Sequence, residues 1–401
     1  MDLRDQNIVI FSLFRFDADI ESTAFIVASK LAESNRVFYI DNPYTLRDCW
    51  VNKNSTSFKK RRRFFSLFSS EVIDTENPDF KVVIPPVLLS LHFLPEGFLY
   101  RLLLGLNESL IRLRIRRVLR KFGVTDYIFI NAFNFHYPTV ARKLSPRLKV
   151  YYCLDPVAGN FDGRHGVRSE MTLVRDSDLV ICSSRSLYEN KRRINPNSYL
   201  VPNAADIRHS SKALNPETPV SEILEGIPRP VIGYFGSIEH RFDFRLMYEV
   251  ASAHPQWSFV LAGPVFADDL MGLERLGNVH FIGRVPYSEM PSVIKGFDVA
   301  VIPFRKDDRS AAVFPLKLFE YLGAGKPVVA TDFNPDLEEY TEGAVAYCTD
   351  AKSFADAISG EMENDNPEHT ARRTRLAARH TWEKRVEVIS SLLSQAIAGK
   401  T

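Results

Sequence analysis

The sequence predicts an α/β protein made of two doubly wound, mostly parallel sheets, and three observations carry that expectation. Short β-branched runs alternate with helical segments through most of the chain. Between residues 202 and 230 this alternation gives way to prolines, polar residues and one short helical stretch, a plausible hinge. A length of 401 residues is long for one core and comfortable for two. The expected division is a first domain over 1–205, a linker over 206–229, a second domain over 230–380 and a closing helix over 381–401.

Composition narrows the class. With 45% hydrophobic and 25% charged residues, the chain has ample material for a globular core. A formal net charge of +2 gives no global nucleic-acid signal, and no nucleic-acid module accompanies it, so a nucleic-acid partner is not expected. Cys49, Cys153, Cys182 and Cys348 are scattered, without the paired spacing of metal or redox sites. Cys153 and Cys182 lie in apolar runs and read as small core residues of a reducing compartment. The first five residues are too acidic for a secretory signal, and no apolar stretch approaches the ~20 residues a membrane span needs. A cytoplasmic protein is expected.

In the first domain, strands are expected at 7–13, 36–41, 81–84, 127–131, 148–152 and 178–183, each a short β-branched or aromatic run. Ligands of open parallel sheets bind beyond the carboxyl ends of strands, so the loops there are the places to look for chemistry. Asp19 lies in the loop after the first strand, His136 follows the fourth, and Asp155 closes the fifth. A lone carboxylate or imidazole at a strand end suits a general base or a helix cap, and the residues alone do not choose between them. Lys59, Lys60, Arg61, Arg62 and Arg63 precede Phe64, Phe65 and Phe68. Such a run is either a solvated loop or a docking element for anionic lipid. Farther on, Leu106, Leu110 and Leu113 form an apolar stripe on an expected helix that also carries Arg112, Arg116 and Arg120.

The second domain is expected to hold strands at 230–235, 257–262, 278–282, 298–303, 327–331 and 344–348. After the first comes GYFGSI, 233–238, where Gly236 allows close backbone approach to an anion and Ser237 and Arg241 can donate to it. Gly263 follows the second strand, and Val285, Pro286 and Tyr287 follow the third. Arg305 ends the fourth. The stretch 313–331, VFPLKLFEYLGAGKPVVAT, is the most informative. Pro315 suits the start of a helix, Leu316, Phe319 and Leu322 share a face, and Gly323 and Gly325 end the helix ahead of a buried strand. Lys317 and Glu320 remain together on its first two turns. Spacing alone leaves two readings open: a solvated i,i+3 ion pair, or a site for a phosphate beside a ribose.

The string 313–331, with GYFGSI, resembles the donor-binding segment of nucleotide-sugar glycosyltransferases of the GT-B type, in the group 1 or family 4-like branch. The resemblance is strong over 228–390 and diffuse over 1–200. It implies two Rossmann-like domains facing a cleft, with the last helix crossing back to the first domain. By the same resemblance Glu320 holds ribose hydroxyls, Lys317 and Arg241 meet the diphosphate, and Val285 to Tyr287 meet the base. The glycines usual in the loop at 13–19 are absent. Many retaining members carry a second Glu eight residues before the ribose Glu; Ala312 stands there, which leaves the stereochemistry open.

The implied function is transfer of a hexosyl group from a UDP- or GDP-sugar to a hydroxyl acceptor, a glycan or a lipid-linked species, in envelope polysaccharide or glycolipid assembly. No metal or other cofactor is expected beyond the nucleotide sugar itself. Two other readings share the fold: a sugar-nucleotide epimerase, which needs no acceptor, and a catalytically silent nucleotide-binding scaffold.

Overall fold

The structure, a computed structural model, describes residues 3–17, 22–157 and 160–400. Asp19 lies outside the described residues. The chain divides into two compact units, Met1–Pro202 with Arg385–Thr401, and Asn203–Lys384.

Among the described residues unit 1 is built on eight strands: β1 (Asn7–Ser12), β2 (Arg36–Ile40), β3 (Ile73–Asp74), β4 (Phe80–Val83), β5 (Ile128–Ala132), β6 (Leu148–Cys153), β7 (Leu179–Cys182) and β8 (Ser198–Leu200). Their order is β3-β4-β2-β1-β5-β6-β7-β8, parallel throughout except for the β3–β4 pair. Burial on both faces explains the continuous apolar runs. Ile8, Val9, Ile10 and Phe11 are all buried, with Ile8 in register with Val37 on one side and Ile128 on the other. The chain steps outward from β1 to β2 and β4, then returns to place β5 on the other side of β1. The carboxyl ends of β1 and β5 therefore form a topological switch point.

Helices α1 (Leu46–Val51), α2 (Thr56–Arg61) and α3 (Phe98–Lys121) follow in this unit. The basic run is not a loop. Ser55 caps α2 through the Phe58 N–H, and residues 62–64 continue as a 3₁₀ turn. Arg61 is fully buried, donating through Nε to Asp41 at 2.7 Å and through Nη2 to Asp17 at 2.5 Å. Phe64 is buried as well, so two of the expected surface groups are structural.

The apolar stripe expected on α3 is only partly inside, with Leu110 alone of its three leucines packed against the core. Ile111, Ile115 and Val118 face the core, while Leu106 and Leu113 are 49% and 37% exposed. Polar docking sets the helix's rotation. Asn107 accepts from the Leu89 N–H and donates to its carbonyl, Glu108 accepts from the Thr139 N–H, and Arg114 donates to the carbonyls of Ile84, Phe64 and Ser66. Buried polar groups are tolerated only when so paired, and here they decide which face is inside.

Unit 2 carries β9 (Val231–Phe235), β10 (Ser258–Ala262), β11 (Val279–Gly283), β12 (Val299–Ile302), β13 (Val328–Thr331) and β14 (Ala346–Cys348), in the order β11-β10-β9-β12-β13-β14, all parallel. Its switch point lies between β9 and β12. Residues 206–229, expected as a linker, belong to this unit: Ala213 and Leu224 are buried in its core, and the Ser221 N–H donates to Ser292. Helix α4 (Leu316–Gly323) precedes β13. In the last helix, α5 (Trp382–Ala398), residues from Arg385 onward belong to unit 1. There Ile389 and Leu393 are buried, and beyond the helix Lys400 pairs with Asp178 at 2.6 Å. The doubly wound α/β class is borne out. Each expected strand is present with ends shifted by at most two residues, whereas β3 and β8, too short and polar to read as runs, were not expected.

Candidate functional site

The carboxyl ends of β9, β10 and β11 are tied to one another by backbone bonds. The Gly236 N–H donates to Ala262 at 2.8 Å, and the Gly263 N–H donates to Gly283 at 2.7 Å. Glycine is required at both donors. At Gly263, with φ +153°, a Cβ would lie 2.0 Å from the Gly236 carbonyl oxygen; at Gly236, with φ +141°, it would lie 2.4 Å from Lys317 Nζ. These two amides are spent on holding the three loops together, so an anion approaching them would meet the Ser237 side and the Lys317 ammonium rather than the Gly236 or Gly263 N–H.

Helix α4 aims at the same loops. Pro315 is its N-cap residue, extended rather than helical and without a side-chain cap, and Leu316 opens the first turn. Gly323 is the last helical residue, and Gly325 at φ +74° turns the chain toward β13. Leu318, Phe319, Tyr321 and Leu322 are buried, leaving Lys317 and Glu320 as the partly exposed polar pair. Lys317 is not a solvated partner of Glu320. Its Nζ sits 3.8 Å from the centroid of the Tyr234 ring and donates to the Tyr234 hydroxyl at 2.5 Å. That hydroxyl donates in turn to the Ser237 carbonyl at 2.8 Å. Burial of the ammonium lowers the Lys317 pKa to about 7, with Glu320 opposing and Arg241 adding to the shift.

Glu320 is held from another loop. The Tyr287 hydroxyl donates to its Oε1 at 2.8 Å, while the Tyr287 carbonyl bonds His209 Nε2 at 2.8 Å and the two rings stack at 4.8 Å. Tyr321 fixes the end of β9: its hydroxyl accepts from the Phe235 N–H at 2.7 Å. Arg241 is paired with Glu239, Nε to Oε1 at 2.7 Å, and its carbonyl accepts from the Arg305 N–H. Val285 and Pro286 lead directly into the turn that presents Tyr287.

The structure therefore gathers Gly236, Ser237, Arg241, Gly263, Tyr287, Pro315, Leu316, Lys317 and Glu320 at the carboxyl ends of the unit 2 strands. Tyr234, Tyr321, His209 and Glu239 were missed. Both tyrosines lie inside strings already singled out, but an aromatic in a strand or on a buried helix face reads from sequence as packing.

In unit 1, Asp155 follows β6 and is half-buried. His136, after β5, lines a cavity of about 230 Å³ together with Arg15, Asn42, Asp48, His92 and Tyr137. Burial, with His92 adding, lowers the His136 pKa to about 4, so its imidazole is neutral at neutral pH.

Comparison with known proteins bears on both units. The family described as Glycosyl transferases group 1 matches residues 229–364. Over 229 residues the chain is 29% identical to the "Putative teichuronic acid biosynthesis glycosyltransferase TuaH" of Bacillus subtilis (strain 168), covering 52% of this chain and 58% of that one. The chain thus matches little more than half the length of that relative. Sucrose-phosphate synthase (tll1590) from Thermosynechococcus elongatus matches 98% of this chain and 100% of its own, with TM-score 0.67 at 18% identity. Anabaena Alr3699/HepE in complex with UDP matches 97% and 100%, with TM-score 0.67 at 14% identity. At such identities the structural likeness is one of fold. Residues 229–364 thus match the Glycosyl transferases group 1 family, within a chain that shares the two-sheet GT-B fold of these solved structures.

Proposed function

We propose that the protein is a metal-independent glycosyltransferase that moves a hexosyl group from a nucleoside diphosphate donor to a hydroxyl of a glycan or lipid-linked acceptor. The observation that carries this reading is the joint placement of Glu320, oriented by Tyr287, and Lys317, packed under Gly236, on the first turns of α4. A carboxylate suits a pair of ribose hydroxyls, and a cation packed under a glycine loop suits a diphosphate. As the glycosidic bond breaks, charge accumulates on the leaving diphosphate. Lys317, Arg241 and the backbone and hydroxyl of Ser237, next to Gly236, are the groups to stabilise it. Arg241 would then share its guanidinium between the diphosphate and Glu239.

A UDP-sugar is the first donor to test, since Alr3699/HepE holds UDP in its solved complex, with GDP-sugars next. Envelope polysaccharide assembly is the process favoured by the TuaH similarity. The reading places the protein in the cytoplasm, reaching its acceptor at the inner membrane face; no helix among the described residues is long and apolar enough to cross a membrane. Asp155 is the proposed catalytic carboxylate, with His136 and Asp19 as its rivals.

The test is calorimetric titration of UDP and GDP into the parent protein and into Glu320→Gln. Loss of charge-assisted bonds worth roughly 1.5–3 kcal/mol each should weaken binding at least tenfold. Equal affinity in both proteins would remove Glu320 from the nucleoside site.

A further inference from the structure

The switch point of unit 1 has its own polar cavity, fed by the loops after β1, β2 and β5 through Arg15, Asn42 and His136. Arg15 stacks its guanidinium 3.9 Å from the centroid of the Tyr44 ring, and its Nε is buried without a hydrogen-bond partner among the described residues. An unsatisfied buried guanidinium donor is unfavourable unless a ligand supplies the acceptor. The opposite wall comes from α1, through Thr45 and Asp48, and from α3 and the segment before it, through Leu91, Tyr100 and Asn107. These elements lie side by side: the Leu46 N–H donates to Leu88, the Arg47 N–H to Ser90 Oγ, and Asn107 clasps Leu89.

The outward sides of the same elements are apolar. Leu46 and Trp50 on α1 are 59% and 75% exposed; Phe93, Phe98, Leu99 and Leu102 are between 55% and 84% exposed. Scattered apolar residues on a surface need no explanation, but six large ones on adjoining segments at the wall of one cavity form a patch. Cations border it. Arg47 on α1 and Lys53 just after it are exposed, whereas on α3 the exposed face that carries Phe98, Leu102 and Leu106 reaches Arg116 and Arg120 only about 20 Å beyond Leu102. The nearby Glu96 is already paired with Arg101 at 2.7 Å. Aromatic and leucine side chains with basic residues on the same face are the composition of an interfacial membrane element. A water-soluble acceptor would need the polar cavity but not the apolar rim.

We propose that the rim formed by α1, Phe93 and the first turns of α3 docks on an anionic lipid bilayer, with the Arg15 cavity receiving the anionic head group of a membrane-held acceptor. This rests on the glycosyltransferase reading for the acceptor's role, though not for the docking itself. It moves the membrane contact away from the basic run at 59–63, where Arg61 and Phe64 point inward.

The test is co-sedimentation with phosphatidylcholine vesicles, with and without phosphatidylglycerol, of three proteins: the parent, the rim variant Trp50→Ser/Phe98→Ser/Leu102→Ser, and the basic-run variant Lys59→Gln/Lys60→Gln/Arg62→Gln/Arg63→Gln. Thermal unfolding of each checks that these exposed substitutions leave the fold intact. The parent and the basic-run variant should sediment with phosphatidylglycerol vesicles, and the rim variant should stay in solution. Equal sedimentation of rim variant and parent, or none by the parent, overturns the proposal, as does binding that ignores phosphatidylglycerol. So does a parent that ignores vesicles yet dimerises through the rim in sedimentation velocity. UDP titration of the rim variant reports separately on the glycosyltransferase reading, because its three substitutions lie in unit 1.

Discussion

Lys317 shows how a surface-looking residue becomes a functional candidate. In sequence it is half of an i,i+3 pair, but the fold withdraws its ammonium beneath Gly236 and against Tyr234, and burial lowers its pKa to about 7. The sign of the consequence can be worked out. The unfolded side chain titrates near ~10.4, so between about pH 7 and ~10.4 the unfolded state binds the extra proton and stability rises with pH. Below about 7 the penalty is present in full, and Lys317→Met should flatten that slope. Ligand binding runs the other way. A diphosphate favours the ammonium, so its affinity should fall as pH rises through about 7, by at most about tenfold per pH unit. Calorimetry near pH 8 in buffers of differing protonation enthalpy should record proton uptake on UDP binding in the parent and none in Lys317→Met. An identical buffer dependence in the two proteins would rule Lys317 out as the titrating group. The pair itself was legible because both residues fall on one short helix. Its partners were not: Tyr234 comes from β9 and Tyr287 from the turn after β11, both distant in sequence, and no local spacing announces such contacts.

At the scale of elements, strands were easier to read than helices. A strand buried on both faces advertises itself as an apolar run, whereas a helix can be turned by a few polar side chains that find backbone partners. Asn107, Glu108 and Arg114 do this to α3, and of the stripe read from hydrophobic periodicity Leu110 packs inward while Leu106 and Leu113 are exposed. The basic run misled for a related reason. Four of its five cations are exposed as their composition suggests, but Arg61 sits at α2's last turn, where Asp41 and Asp17 converge on it. Burial works to raise the Asp17 pKa, yet the Arg61 hydrogen bond and charge prevail and hold it below the usual carboxylate range. Removing one partner of such a buried cluster leaves the other charges uncompensated. Arg61→Met should therefore destabilise unit 1 by about 3–5 kcal/mol, while Lys60→Gln one residue earlier should change stability by less than ~0.5 kcal/mol. Urea denaturation of both variants distinguishes these outcomes, and a small effect of Arg61→Met would mean that water or a shifted side chain takes over the carboxylates.

Across the whole molecule, the alternation of runs revealed two sheets, but nothing in the amphipathic period of α5 says where that helix goes; the family resemblance supplied that expectation. The chain begins in unit 1, completes unit 2 from Asn203 to Lys384, and returns for residues 385–401. Each unit has its own apolar core, one around Val9, Phe38 and Ile115, the other around Ile232, Val301 and Leu318. Unit 1 is thus incomplete until the C-terminal residues are present, since Ile389 and Leu393 are fully buried and Lys400 reaches Asp178. The candidate nucleotide site, by contrast, lies wholly before residue 385. A chain ending at Lys384 should lose stability in unit 1 and keep nucleotide-dependent stability in unit 2. Scanning calorimetry with and without UDP tests this, since a ligand at 100 times its dissociation constant adds about 2.7 kcal/mol to the unit that binds it. The shortened chain should show one transition lowered and another still raised by UDP. If shortening abolishes the response to UDP, the nucleotide site depends on residues 385–401 and does not belong to unit 2 alone.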